Sequence, residues 1–253
     1  MSTFSKVSIL VATRDRPQFI PQVLRNIANQ TYPKEHIEVV VGDDGQHPIG
    51  HLLPQGGAFI YIRYEHPISL GQKRQELKER ASGDVMVCMD DDDYYPPTRV
   101  AKAVEALQAY PDIGFAYAPT MNLYYPHERA LYSSGPWTTN WPHATFAFSR
   151  KFAETHHYTK GDAYGEERHF TDFYRVPHIR LEAKDTILAL CHNHNTIPKD
   201  RLGKRTLLGF QLANYVRDTA SLRFYIGMAG KTGGPVVQSM GNLGNTYLRQ
   251  RRI

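Results

Sequence analysis

Four consecutive aspartates, Asp90 to Asp93, follow the apolar run 85–89 and lead directly into Tyr94, Tyr95, Pro96 and Pro97. Four like charges at the tip of a buried strand repel one another strongly at low effective dielectric, so a compensating cation is expected. Hard divalent metals such as Mg2+ and Mn2+ prefer carboxylate oxygen, and one or two protein carboxylates leave coordination positions open for diphosphate oxygens. An acidic run can also be a plain solvated turn. The preceding strand favours the first reading, because open parallel sheets bind ligands beyond the carboxyl ends of their strands.

Two other strand ends carry polar groups. The run 7–12 is apolar and ends in Thr13, Arg14, Asp15, Arg16 and Pro17, a turn that can cap and open a helix. The run 37–41 ends in Gly42, Asp43, Asp44 and Gly45. Between them Ile20, Val23, Leu24 and Ile27 recur at helical spacing, which makes the segment β-α-β. A third strand is expected over 59–64, then a helix over 72–81 rich in Lys, Arg and Glu, closed by Ser82 and Gly83. Another helix is expected over 98–110, and strands over 114–118, 144–148 and 186–191. The interval 122–142, dense in Tyr, Trp, Pro and Asn, reads as a loop whose Trp137 and Trp141 either pack sugar rings or anchor the fold. A helix is expected from about 165 to 175, and one amphipathic helix over 208–226.

The formal net charge of +5 is uneven. From Arg201 onward there are nine Lys and Arg against one acid, Asp218, so the chain before that point has a balance of −3. A duplex-binding face on the body is therefore not indicated, and no nucleic-acid partner is expected. The basic stretch 201–253 leaves three options: packing on the core, a homodimer seam, or a peripheral membrane contact. Cys88 and Cys191 both lie in apolar runs, so neither a disulfide framework nor a zinc site is expected, and a reducing cytoplasm fits. No run approaches eighteen apolar residues, and the first six residues do not read as a secretion signal.

The three polar strand ends together resemble the family 2 inverting glycosyltransferases of the GT-A fold. Thr13-Arg14-Asp15-Arg16 matches the Thr-x-Asn-Arg-like end of that family's first strand, and Asp43-Asp44-Gly45-Gln46 matches its Asp-Asp-Gly-Ser. Met89-Asp90-Asp91-Asp92-Asp93 matches its Leu-Asp-x-Asp-Asp, the DxD motif. The resemblance covers most of residues 5 to 200 and implies a mostly parallel α/β sheet flanked by helices. It also implies a catalytic domain over 1–200, followed by a basic helical extension over 201–253.

Carried over by position, the resemblance implies that Asp44 accepts the imide N–H of a uracil-type base, while Thr13 and Arg14 shape the base pocket. Such an acceptor favours UDP-linked donors over cytidine nucleotides. Lys73 and Arg74 correspond to the family's Gly-x-x-x-Arg-Asn region, with Gln75 in place of Asn, and would neutralise the diphosphate. Asp92 aligns with the metal-binding carboxylate for Mn2+ or Mg2+, and Asp90 or Asp91 with the ribose contact. Gly165-Glu166-Glu167 stands where the family has an acidic pair, so Glu167 would be the base, with Glu166 the competing assignment. The same pair could simply complement a helix N-terminus. His192-Asn193-His194-Asn195-Thr196 resembles a His-Gly-x-Asn-Thr pattern and favours His192 over His194 at the metal. The implied partners are a nucleotide-sugar donor and a glycan or glycoconjugate acceptor.

Two other enzyme classes fit less well. Sugar nucleotidyltransferases have a Gly-rich phosphate loop after the first strand, and 13–17 contains no glycine. Phosphatases of the Asp-x-Asp type need that motif on the first strand. A binding module that kept the fold without turnover is the non-enzyme alternative, with Glu in place of the usual Asp at the base position in its favour.

Overall fold

The computed structural model describes residues 5–161, 165–192, 195 and 205–228. The first half builds a doubly wound sheet from β1 (Val7–Thr13), α1 (Ile20–Ala28), β2 (Ile37–Asp43), β3 (Phe59–Arg63), α2 (Leu70–Arg80), β4 (Val85–Cys88) and α3 (Arg99–Ala109). It continues through β5 (Phe115–Tyr117), a hairpin of β6 (Met121–Tyr125) and β7 (Ala130–Ser134), β8 (Ala147–Ser149) and α4 (Arg150–Thr155). The rest comprises α5 (Glu167–Phe170), β9 (Ile179–Arg180), α6 (Ala183–Thr186), β10 (Leu188–Leu190), β11 (Arg205–Leu207), α7 (Leu212–Tyr215) and α8 (Thr219–Gly227).

Seven strands form the main sheet in the order β3-β2-β1-β4-β8-β5-β9. The chain moves outward from β1 through β2 to β3, then returns by α2 to place β4 on the other side of β1, parallel to it. That reversal is a topological switch point, and a crevice opens beyond the carboxyl ends of β1 and β4. Thr13 and the four aspartates stand at that edge. Strand β8 enters antiparallel between β4 and β5, so the sheet is mostly parallel rather than wholly so.

The central strands are apolar because both faces are covered. Val7, Ile9, Val11, Val39 and Val41 pack with Ile20, Val23 and Ile27 of α1 and with Val100, Val104 and Leu107 of α3. Leu10, Val40, Met86 and Cys88 face the other way, onto Leu77 of α2 and the rings of Phe115, Phe146, Phe148, Phe152 and Phe170. Each fully buried aliphatic side chain contributes about 1.5–3 kcal/mol, which holds the strand ends at the crevice in fixed register.

Several expectations are corrected. Within 122–142 the structure has the β6–β7 hairpin, paired from Met121↔Ser134 to Tyr125↔Ala130. Tyrosines read as loop residues are strand residues here, buried alternately on the two faces, and Arg129 at φ 50° closes the turn. Trp141 is 2% exposed and stacks on Tyr117 at 4.2 Å, so it is a core anchor and no sugar platform. The strand expected over 144–148 begins only at Ala147, after a 3-10 turn at His143–Thr145. The helix expected to reach 175 ends at Phe170, because the chain turns left-handed at 172–174. The single helix expected over 208–226 is two, broken where Val216 is extended and Asp218 caps α8 by accepting from Ala220 and Ser221 N–H groups.

β11 pairs with β7 in a second, four-stranded sheet of order β10-β6-β7-β11. Helix α8 meets α1, where Gln22 Nε2 donates to Ser221 Oγ at 2.7 Å. Residues 201–204 and 229–253, which carry six of the nine Lys and Arg of the basic stretch, lie outside the described residues.

Candidate functional site

The end of β1 and the end of β4 are tied together by side chains. Thr13 Oγ1 donates to Asp91 Oδ2 at 2.7 Å, and Arg16 Nη1 donates to Asp91 Oδ1 at 2.9 Å and to Asp92 Oδ2 at 3.0 Å. Asp91, Asp92 and Asp93 are buried, whereas the Asp90 side chain is 38% exposed. Burial, and then the Asp92 charge beside it, push the Asp91 carboxyl above its ordinary range, against the opposing pull of Arg16 and Thr13. Burial works against the Arg16 charge, yet Asp91 and Asp92 outweigh it and hold that guanidinium firmly protonated.

Asp92 Oδ2 is where three elements meet. Besides Arg16 it lies 3.0 Å from His192 Nε2 and accepts from Asn195 Nδ2 at 3.1 Å. The His192 ring packs against Phe19 with centroids 5.1 Å apart, and its backbone N–H donates to Asn195 Oδ1 at 2.7 Å. Asp93 turns the other way and braces the acidic turn against β10 and α1. Its Oδ1 accepts from Leu190 N–H at 2.8 Å, and its carbonyl accepts from Asn26 Nδ2 at 2.8 Å. His194 lies outside the described residues.

At the end of β2 the two aspartates also divide. Asp43 builds the turn, accepting from Gly45 N–H at 2.9 Å, Ile49 N–H at 3.0 Å and Tyr61 OH at 2.7 Å. Asp44 faces α2, where Lys73 Nζ donates to Asp44 Oδ1 and also to the Thr13 carbonyl at 2.9 Å. Its second oxygen accepts from Ile68 N–H at 3.0 Å. Ser69 caps α2 by accepting from Gln72 N–H at 3.1 Å. Lys73 and Arg74 are therefore not surface cations, with side chains only 5% and 10% exposed.

Arg74 pairs with Glu166 and lies 3.9 Å from Asp90. The close approach of α2 to the segment before α5 depends on Gly71. A Cβ there would stand 2.1 Å from the Thr159 carbonyl oxygen and 3.2 Å from Glu166 Cβ. Gly71→Ala is expected to cost about 1–3 kcal/mol as the segment is forced away, read as a lower urea midpoint. Glu167 sits in the first turn of α5, and its Oε1 accepts from Tyr174 OH at 2.9 Å. Burial, and then Glu167, raise the Tyr174 phenol well above its ordinary range, so it keeps its proton.

The structure thus gathers Thr13, Asp44, Lys73, Arg74, Asp90, Asp91, Asp92 and His192 around one crevice, with Glu166 joined to them through Arg74. Arg14 is not among them: its side chain is 54% exposed and its Nε lies 3.8 Å from the Asp15 carboxylate. Arg16 takes the place against the aspartates, because Asp15 at φ 52° reverses the chain between the two arginines. Arg16 and Asn195 stand inside the quoted motifs, but sequence reasoning gave them no role. Tyr174 had no signal.

Among the described residues no group of three His, Cys, Asp or Glu could hold a metal by itself. The pair Asp92 and His192, one hard oxygen and one imidazole 3.0 Å apart in a buried setting, is of a chemistry that would suit a divalent cation if substrate and water supplied its remaining ligands.

Comparison with known proteins agrees with this architecture. The sequence model of glycosyl transferase family 2 matches residues 8–171. An uncharacterized glycosyltransferase of Haemophilus influenzae is 27% identical over 115 residues, 45% of this chain and 38% of that protein. The uncharacterized glycosyltransferase YwdF of Bacillus subtilis is 27% identical over 105 residues, 41% of this chain and 38% of its own length. The chain thus spans well under half of the curated relatives it matches. The fold is similar to that of the mannosyltransferase PcManGT from Pyrobaculum calidifontis, solved with GDP-Man and Mn2+. The TM-score is 0.60 at 18% identity, over 77% of this chain and 59% of that one. S. aureus TarS 1-349 with UDP-GlcNAc gives a TM-score of 0.52 at 16% identity, over 75% of this chain and 60% of that one. With most of its sheet and the ends of β1, β2 and β4 inside the matched region, this chain belongs to glycosyl transferase family 2 and has the GT-A fold.

Proposed function

We propose that the chain is the catalytic unit of a metal-dependent inverting glycosyltransferase, moving a sugar from a nucleoside diphosphate donor to an acceptor hydroxyl on a glycan or glycoconjugate. The observation that carries this reading is the convergence on Asp92 of groups from the ends of β1, β4 and β10.

Asp92 and His192 would hold Mn2+ or Mg2+. Such a cation supplies charge stabilisation to the departing diphosphate. Lys73 and Arg74 border the same edge and neutralise phosphate charge, while Thr13 and Asp44 face the nucleobase and Asp90 or Asp91 the ribose. Both oxygens of Asp44 already accept one hydrogen bond, and a carboxylate has lone pairs left for an imide N–H, which favours UDP donors.

Of the two acids at α5, Glu166 is committed to Arg74, and Glu167 is the base. The acceptor oxygen forms a bond to the anomeric carbon and its proton passes to Glu167. The bond from that carbon to the diphosphate breaks, and the electron pair leaves with the nucleoside diphosphate. Attack opposite the leaving group inverts the anomeric centre.

The test is a panel of nucleotide sugars assayed for nucleoside diphosphate release with Mn2+. Release from a UDP-sugar, abolished by EDTA, is expected. UDP binding without release under any acceptor would instead identify a binding module of this fold.

No described helix is long and apolar enough to cross a membrane. Leu207, Phe210 and Ile226 are exposed, and Arg205, Arg217 and Arg223 are close in sequence. We propose that this stretch makes a peripheral contact with an anionic lipid surface, in a cytoplasmic setting. Co-sedimentation with phosphatidylserine vesicles, lost on Leu207→Glu, is the expected result. A concentration-dependent dimer lost in that variant would identify a subunit seam instead.

A further inference from the structure

The segment after α5 is built in a way that its sequence does not require. Asp172, Phe173 and Tyr174 occupy the left-handed region in succession, at φ 44°, 55° and 65°, and none is glycine. A side chain with a Cβ is disfavoured there, and three in a row persist only where the surroundings over-determine them.

The surroundings do so. Thr171, fully buried, donates its hydroxyl to the Glu167 carbonyl at 2.7 Å and accepts from Tyr174 N–H at 3.2 Å. Phe173 N–H donates to the Arg168 carbonyl at 2.6 Å, and the Arg168 guanidinium lies 5.4 Å from the Phe173 ring centre. The turn carries the Tyr174 ring to Trp141, with centroids 5.6 Å apart, and its hydroxyl to Glu167. A second acceptor, Asn140 Oδ1, lies 3.2 Å from the same hydroxyl, and Asn140 is itself left-handed at φ 54°. Strained backbone from two separate segments thus converges on one phenol and one carboxylate oxygen.

We propose that Tyr174 is a positioning residue for the transfer reaction: its hydroxyl fixes Glu167 Oε1 so that Oε2 is presented to the acceptor hydroxyl. This rests on the reading of Glu167 as the base. A free Glu side chain has three rotatable bonds, and a helix of one turn restrains it little. A hydrogen bond from a phenol anchored on Trp141 removes that freedom, and orientation of a reacting group is worth large factors in rate.

The test is a double-mutant cycle on UDP release from the best donor. Tyr174→Phe keeps the ring on Trp141 and is expected to lower kcat about ten-fold, with donor KM and urea midpoint unchanged. Introduced into Glu167→Ala, Tyr174→Phe is expected to cause no further loss, because the carboxylate it orients is gone. Asn140→Gly suits the left-handed backbone, removes the competing acceptor and should leave kcat within about two-fold of the parent. The proposal is overturned if Tyr174→Phe leaves kcat unchanged, if its loss adds in full to that of Glu167→Ala, or if Asn140→Gly loses as much as Tyr174→Phe. Full activity of Glu167→Ala by itself would refute the base assignment, an outcome distinct from additivity in the cycle.

Discussion

Glu167→Gln is expected to lower kcat by about 10^3, close to 4 kcal/mol of transition-state stabilisation, while donor KM changes little. The amide keeps the size of the side chain and can still accept from Tyr174 OH, so packing around α5 is preserved. Under the proposed assignment, what it loses is the capacity to take the acceptor's proton, which matters only as the anomeric carbon is attacked. Glu166→Gln should behave differently. Its carboxylate is the buried partner of Arg74, and removing one charge of such a pair costs about 3–5 kcal/mol of stability. The unfolding midpoint should fall, and donor KM should rise as Arg74 loses its anchor. Steady-state kinetics on both variants, with urea melts, separate the two acids. A thousand-fold kcat loss in Glu166→Gln with full activity in Glu167→Gln would reverse the assignment.

Asp92→Asn should be as damaging, through a different quantity. Asn can keep an oxygen at the one position where Arg16, His192 and Asn195 all meet Asp92 Oδ2, but it removes the negative charge. Under the proposed metal role of Asp92, loss of its charge corresponds to several kcal/mol, or about 10^3 in kcat/KM with Mn2+ at the parent's saturating concentration. Raising Mn2+ further should restore part of that loss, which no concentration should do for Glu167→Gln. Full transfer by Asp92→Asn would require the metal-centred reading to be abandoned. Asp93→Asn offers a contrast. Asp93 accepts from Leu190 N–H and braces the turn, so its main effect should be on stability.

The strand ends were legible because β1, β2 and β4 are covered on both faces. Their apolar runs stop where the sheet stops, and Thr13, Asp43 and Asp90 mark those points. Connectivity then dictated the switch point at β1, and with it the side of the sheet on which these groups gather. What sequence could not show was direction within a turn. Arg14 and Arg16 are equivalent cations on paper, and only the left-handed Asp15, whose carboxylate accepts from Gln46 N–H at 2.6 Å, sends one to solvent and the other to the aspartates. Asp43 and Asp44 divide similarly, one closing a loop and one facing Lys73. The β6–β7 hairpin was hidden by composition, since tyrosines and prolines suit an irregular loop as well as a strand beside a turn. Tyr174 was invisible because its place depends on three successive left-handed residues, a conformation that local propensity argues against.

Calorimetric titration of UDP into the intact chain, with and without Mn2+, tests the central claim most directly. The convergence of Asp92, His192 and Arg16 on one edge predicts that Mn2+ tightens UDP binding by about ten-fold or more, and that Asp92→Asn abolishes the gain. UDP affinity indifferent to the metal in the parent, or a gain that survives in Asp92→Asn, would contradict it.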